Sequence, residues 1–114
     1  MNEFTAQYIA TALADLSDSE EWTRADPPMI DDLSDDVRRL IMNDCRAFQF
    51  AASEYFKGRE ADAGHDFWLT RNGHGAGFWD GDWPEPVASI LTVAAKVRGE
   101  FCLYYGDDGL IYGL

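Results

Sequence analysis

The chain has 114 residues, 46% of them hydrophobic, which is enough for one hydrophobic core and too few for two. Its formal net charge of −12 disfavours non-specific binding to nucleic acid or to an anionic membrane, because both are polyanions. We therefore predict a single domain over residues 1–114 that contacts neither nucleic acid nor membrane directly.

The negative charge is concentrated at the start of the chain. Residues 1–36 carry ten acidic side chains and one basic side chain, Arg24, whereas residues 37–63 carry four acidic and five basic ones. The rest of the chain, 64–114, carries seven acidic and three basic side chains. Such a clustered field can steer a basic partner toward one face of a protein, which scattered charge does not do.

Two amphipathic helices are predicted in the first half. Apolar residues recur at three- and four-residue spacing over Glu3–Leu16, which is typical of a helix with one buried face. Pro27 and Pro28 prevent that helix from continuing through the acidic loop. A second apolar stripe begins after Ser34, a natural N-cap, and Gly58 can terminate it.

The segment His65–Trp83 holds both histidines and three of the four tryptophans of the chain. Residues 66–71 alternate in a period of two, which predicts a strand. Asn72–Gly75 supplies residues that tolerate a positive φ in a turn, and Ala76–Asp80 would return as a second strand. We therefore expect an aromatic β-hairpin with Trp68 and Trp79 mostly buried; exposure of both rings in one patch would make the hairpin an interface.

A third helix and a second hairpin are predicted to complete the chain. Apolar spacing over Val87–Val97 indicates the helix, which Gly99 can end. Phe101–Tyr105 and Leu110–Tyr112 flank a Gly-Asp-Asp-Gly turn. The order α-α-β-β-α-β-β predicts an α+β fold in which a four-stranded antiparallel sheet of two hairpins packs against the helices.

Several segments of the chain together resemble a known group of proteins. These segments are YIATAL at Tyr8–Leu13, MNDCRAF at Met42–Phe48, AGHDFWLTRNGHGAGFWD at Ala63–Asp80 and YYGDDGLIYG at Tyr104–Gly113. Their order and spacing resemble an uncharacterised family of small hypothetical proteins encoded by bacteriophages and prophages. The resemblance implies a small accessory protein made in an infected bacterial cell, and it brings no catalytic residue with it. The loop Ser17–Asp32 has no counterpart in that pattern.

The acidic N-terminal third predicts a binding protein. A compact row of carboxylates can imitate DNA phosphates, which are spaced at about one charge per 1.7 Å of duplex axis. We expect the partner to be a host protein with a basic surface, such as a nucleic-acid-handling or defence factor that a DNA mimic would inhibit. The alternative is a solvated acidic connector without a partner. The candidate partner-binding residues are Asp18, Glu20, Glu21, Asp26, Asp31, Asp32, Asp35 and Asp36.

A second hypothesis is a small metal-dependent hydrolase or ligand-binding domain centred on His65, Asp66 and Asp80. In the predicted hairpin His74 would lie about 15–20 Å from His65, so the two histidines could not share a ligand. The chain has no HExxH, GxSxG or phosphate-loop motif. We therefore predict no catalytic residue, no metal ligand and no cofactor.

The two cysteines, Cys45 and Cys102, are too few for a disulfide framework, and we expect both to be reduced residues of the core. No apolar run approaches the about 20 residues that a membrane-spanning helix needs, and no basic leader precedes an apolar segment. These features predict a cytoplasmic protein, and the resemblance implies that the cell is the bacterial host. The protein is expected to be a monomer, or a homodimer through an exposed strand edge.

Overall fold

A computed structural model describes residues 1–114 and contains four α-helices and one small sheet. The helices are α1 (Glu3–Ser17), α2 (Asp35–Ala52), α3 (Glu60–Arg71) and α4 (Val87–Lys96). The antiparallel strands β1 (Leu103–Tyr105) and β2 (Ile111–Gly113) close the chain. Single 3-10 turns lie at Ile30–Asp32, before α2, and at Ser53–Tyr55, directly after it.

The two N-terminal helices are confirmed, although α2 ends at Ala52 and a 3-10 turn follows it before Gly58. Their side-chain caps explain where they begin. The Asn2 side chain accepts a hydrogen bond from the Thr5 backbone N–H at 3.0 Å, and Ser34 accepts one from Val37 at 3.2 Å. Each cap satisfies a backbone donor that the first turn of a helix leaves unpaired. The predicted α4 and the C-terminal hairpin are also confirmed, the latter with Leu103 opposite Gly113.

The predicted four-stranded sheet is wrong, because the segment expected to form the first hairpin begins with α3 and continues as an irregular loop. Buried residues recur along α3 at helical spacing, as Ala63, Phe67 and Arg71 illustrate. A β-carbon at Gly64 would lie 2.1 Å from the Phe4 carbonyl oxygen, so glycine at this position lets α3 approach α1 closely. The protein is therefore mainly helical, with a single two-stranded sheet.

The loop after α3 is held by side chains of that helix. Thr70 Oγ1 accepts a hydrogen bond from the Phe78 backbone N–H at 3.0 Å. The Trp83 indole donates to Asp66 Oδ2 at 2.7 Å. Trp68 is buried as predicted, whereas Trp79 is 51% exposed, so the prediction for that second ring is wrong.

The core is aromatic and lies between the helices. The Phe48 and Phe67 rings stack at 4.2 Å between centroids, joining α2 to α3, and Phe4 of α1 packs 5.7 Å from Phe48. Cys45 is buried in this core, and burial raises the pKa of its thiol to about 12. Cys102 is exposed, contrary to the prediction, because it lies just before β1 at the edge of the small sheet.

The C-terminal end of α3 is anchored by a buried arginine. Arg71 donates to Asp44 Oδ2 at 2.8 Å, to the Tyr8 hydroxyl at 3.0 Å and to the Gly99 carbonyl at 2.8 Å. These bonds tie α3 to α1, α2 and the segment after α4, and they satisfy a charge that would otherwise be costly to bury. None of the four helices is long and apolar enough to cross a membrane.

Candidate functional site

The predicted partner-binding acids lie on the connector between α1 and α2 and on the first turn of α2. We call residues 18–36 the acidic connector. Asp32 is half-buried, and the other seven predicted residues are exposed. The structure therefore places the predicted carboxylates at the surface and in one continuous stretch of chain.

Arginine neutralises half of that predicted set. Arg24 pairs with Asp26 and, at 3.2 Å, with Asp32. The hydrogen bond from Arg24 lowers the pKa of the Asp26 carboxyl below its ordinary value. The remaining pairs join Arg38 to Asp31 at 3.9 Å and Arg39 to Asp36. The carboxylates without an ion pair are Asp18, Glu20, Glu21 and Asp35.

A cleft of about 650 Å³ lies beside the start of the acidic connector. Its walls come from the second half of α1, the end of α3 with its following turn, and the segment that leads into β1. Eight of its fourteen lining residues are hydrophobic, Leu16, Trp68 and Phe101 among them. We call this cavity the Asp15 cleft, after the carboxylate that lies on its α1 wall.

Asp15 forms a small polar cluster at the Asp15 cleft. Its Oδ2 accepts a hydrogen bond from the Trp68 indole at 3.0 Å and lies 3.0 Å from His74 Nε2. The side chains of Asp15 and His74 are 37% and 35% exposed, so both are within reach of solvent and of a ligand. The cluster therefore combines an oriented carboxylate with an apolar wall.

The turn after α3 positions His74 at this cluster. Gly73 has a φ of +70°, a conformation that glycine adopts without strain. The His74 backbone N–H donates a hydrogen bond to the Leu69 carbonyl at 3.0 Å. Asn72 accepts a hydrogen bond from the Phe101 backbone N–H at 2.8 Å. The end of α3 and the opposite wall of the cleft are thus directly joined.

The Asp15 cleft is negatively charged. Three of its lining residues are carboxylic acids, Asp15, Glu21 and Glu100, and none is lysine or arginine. Ser19 and Glu21 belong to the acidic connector, so the cleft and the connector adjoin at these two residues.

The residues of the alternative hydrolase hypothesis do not assemble into a metal site. Asp66 is buried and bonded to Trp83, and burial is the main cause that raises the pKa of its carboxyl. Asp80 accepts a hydrogen bond from the Gly77 backbone N–H at 3.3 Å, and Asp82 rather than Asp80 shares a small polar cleft with His65. No group of three His, Cys, Asp or Glu side chains could hold a metal ion.

Sequence reasoning missed the Asp15 cluster because it placed the histidines at opposite ends of a hairpin. Both histidines instead contact α1: His65 Nδ1 lies 2.8 Å from Thr11 Oγ1, and His74 meets Asp15 one turn further along. Thr11 and Asp15 are four residues apart and so lie on the same face of α1. This spacing points to the histidine contacts only when α3 is known to be a helix that packs on that face.

No protein-family model, no curated protein and no solved structure matches this chain.

Proposed function

We propose that the chain is a small acidic accessory protein of bacteriophage or prophage origin that binds a basic protein of its bacterial host. The observation that carries the binding role is the set of exposed connector carboxylates without an ion pair, Asp18, Glu20, Glu21 and Asp35. The phage origin and the host cytoplasm as its location follow from the resemblance of the sequence segments.

Unpaired surface carboxylates support a partner of opposite charge. They project a field that speeds association with a basic surface and makes the association sensitive to salt. A basic channel that normally holds phosphates offers such a surface. We therefore propose a nucleic-acid-handling or defence factor as the partner class and occupation of its channel as the mode of inhibition.

The folding of the acidic connector onto the body of the protein also supports binding. The Trp22 indole donates to the Asp26 carbonyl at 2.9 Å, and its ring packs edge-on against Tyr105 at 5.0 Å. Arg24 then fixes Asp26 and Asp32 from one guanidinium group. A connector held in this way keeps its carboxylates in place before binding, which lowers the ordering cost of association.

The test is capture of partners from nuclease-treated host lysate at low and high salt, read by mass spectrometry. One arm uses the triple variant Asp18→Lys, Glu20→Lys, Asp35→Lys, which reverses unpaired connector charges. The matched control reverses three exposed carboxylates elsewhere, Glu54, Asp82 and Asp107, and so has the same net charge.

The proposal predicts one dominant basic protein at low salt that is lost at high salt and lost with the connector variant, but retained by the control. Equal capture by both variants would show that overall charge rather than the connector matters. Absence of any salt-sensitive basic partner would also contradict the proposal.

A further inference from the structure

We infer that the Asp15 cleft binds a small organic amine, a molecule with an apolar body and one protonated amino group. This site goes beyond the proposed function, because it is a concave pocket for a small molecule rather than a protein-binding surface. The inference rests on the size of the cleft, on its charge and on one free carboxylate oxygen.

The size and the walls of the cleft suit an organic ligand. Its volume of about 650 Å³ falls within the range of small-molecule sites, about 300–1,000 Å³. Leu16, Phe101 and Leu103 form apolar wall, and a ligand body placed against them would leave water. Such sites characteristically combine an apolar lining with a few polar groups that fix orientation.

The charge of the cleft selects a cation. Asp44, the carboxylate beside Arg71, is neutralised by two arginines, with Arg98 as the second. His74, beside Asp15, is the only basic side chain among the lining residues, and no lysine or arginine accompanies the three carboxylates of the Asp15 cleft. A protonated amine would supply that missing positive charge, whereas a carboxylate ligand of the same shape would be repelled.

Asp15 offers the atom that would hold the amino group. Trp68 and His74 both contact Oδ2, and Oδ1 accepts no hydrogen bond from the protein. The two contacts orient the carboxylate, so Oδ1 remains available for the N–H groups of a ligand. An ammonium group donating to a carboxylate makes a short, charge-assisted hydrogen bond.

The experiment is an NMR titration of the protein with phenethylamine and with 3-phenylpropionate, two probes with the same ring and linker but opposite charge. The indole N–H of Trp68 is the reporter, because it is bonded to Asp15 and lines the cleft. The indole of Trp79 lies outside the cleft and is the internal control. We expect saturable movement of the Trp68 signal with phenethylamine alone.

Variants connect the binding to the carboxylates. Asp15→Asn should weaken phenethylamine binding at least tenfold, whereas Asp18→Asn, one turn of chain further on and outside the cleft, should not change it. Because Asp15→Asn also alters the contact with Trp68, a second variant, Glu100→Gln, is needed. Glu100 is exposed and makes no side-chain hydrogen bond or ion pair. Its substitution should weaken phenethylamine binding two- to threefold.

The inference is overturned if 3-phenylpropionate binds as well as phenethylamine, if neither probe gives a saturable shift, or if both cleft variants bind phenethylamine like the unmodified chain. The connector variant Asp18→Lys, Glu20→Lys, Asp35→Lys keeps the Asp15 cleft intact. Its loss of protein capture with unchanged phenethylamine binding would separate the cleft from the proposed protein partner.

Discussion

Two clusters lie at the end of α3: the Arg71 cluster, in which Arg71 contacts Asp44, and the Asp15 cluster, in which His74 contacts Asp15. They differ in how far they are closed, that is, buried and hydrogen-bonded within the protein. Arg71 is buried, and its guanidinium contacts Asp44, the Tyr8 hydroxyl and two backbone carbonyls. His74, three residues further along, meets Asp15 in a half-exposed cluster that has one carboxylate oxygen free. Four of the five N–H donors of Arg71 are bonded within the protein, whereas the Asp15 carboxylate keeps one oxygen without a hydrogen bond.

The difference follows from burial. A guanidinium group taken out of water is tolerated only when nearly all of its donors have partners, so the Arg71 cluster must be closed to be stable. Burial likewise raises the pKa of the Tyr8 hydroxyl well above its ordinary value and keeps it a neutral partner. The Asp15 side chain is partly exposed and its Oδ1 accepts no hydrogen bond from the protein, so another donor can reach that atom. We therefore assign stability to the Arg71 cluster and ligand binding to the Asp15 cluster.

The largest expected effect is on stability. Arg71→Met removes the guanidinium and leaves Asp44 and Tyr8 without their buried donor, so the free energy of unfolding should fall by about 3 kcal/mol. Arg98→Met is the matched control, because Arg98 pairs with the same Asp44 at 3.2 Å but its side chain is 38% exposed. That change should cost less than about 1 kcal/mol in urea denaturation. Equal losses would contradict the stabilising role of the closed cluster.

The reactivity of the two cysteines should show the same contrast between the buried core, which contains Cys45, and the open Asp15 cleft, which Cys102 lines. Cys102 lies in the Asp15 cleft and is exposed, whereas burial raises the pKa of Cys45 to about 12. Because the thiolate is the reactive form, iodoacetamide should alkylate Cys102 at least tenfold faster than Cys45 in the folded protein. Peptide mass mapping over time measures both rates. Comparable rates would mean that the core around Cys45 opens readily.

A moderate effect is expected from Asp15→Asn on stability. The substitution keeps an oxygen that can accept from Trp68 and removes a charge that is partly solvated, so the free energy of unfolding should fall by about 1 kcal/mol or less. Thermal unfolding measures the change. A loss as large as that of Arg71→Met would show that the Asp15 cluster is structural and would remove the distinction between the two clusters.

The smallest effect concerns Asp66, a buried carboxyl outside both clusters. Burial raises its pKa, so the folded state holds the proton more tightly than the unfolded state, and this contribution to stability is lost as pH rises through the raised pKa. Asp66→Asn can still accept from Trp83 and should therefore melt slightly above the unmodified chain at about pH 7. The difference should close toward about pH 3. A melting-temperature difference that does not change with pH would contradict this interpretation.

Much of the fold could be predicted from local patterns. The cap at Ser34 and the turn of the C-terminal hairpin are signals carried by neighbouring residues. Helix α3 gave no such signal, because it is buried on several sides and so has no single apolar stripe. Its residues 66–71 also alternate in a way that is typical of a strand. The close contact of Gly64 with Phe4, which shows that α3 packs on α1, joins residues far apart in the chain.

The acidic connector could be predicted because charge is read directly from composition, but its pairing with arginine could not. Only the structure places Arg38 and Arg39 of α2 against Asp31 and Asp36. The Asp15 cleft could not be predicted from the sequence either, because Asp15 and His74 are 59 residues apart and meet only when α1 and α3 pack.

The most direct test of the distinction between closed and open carboxylates is a single phenethylamine titration that follows two indole signals. Trp83 donates to the buried Asp66, and Trp68 donates to the half-exposed Asp15. We predict saturable movement of the Trp68 signal and a stationary Trp83 signal. Equal movement of both signals, or none of either, would contradict the assignment of ligand binding to the Asp15 cleft.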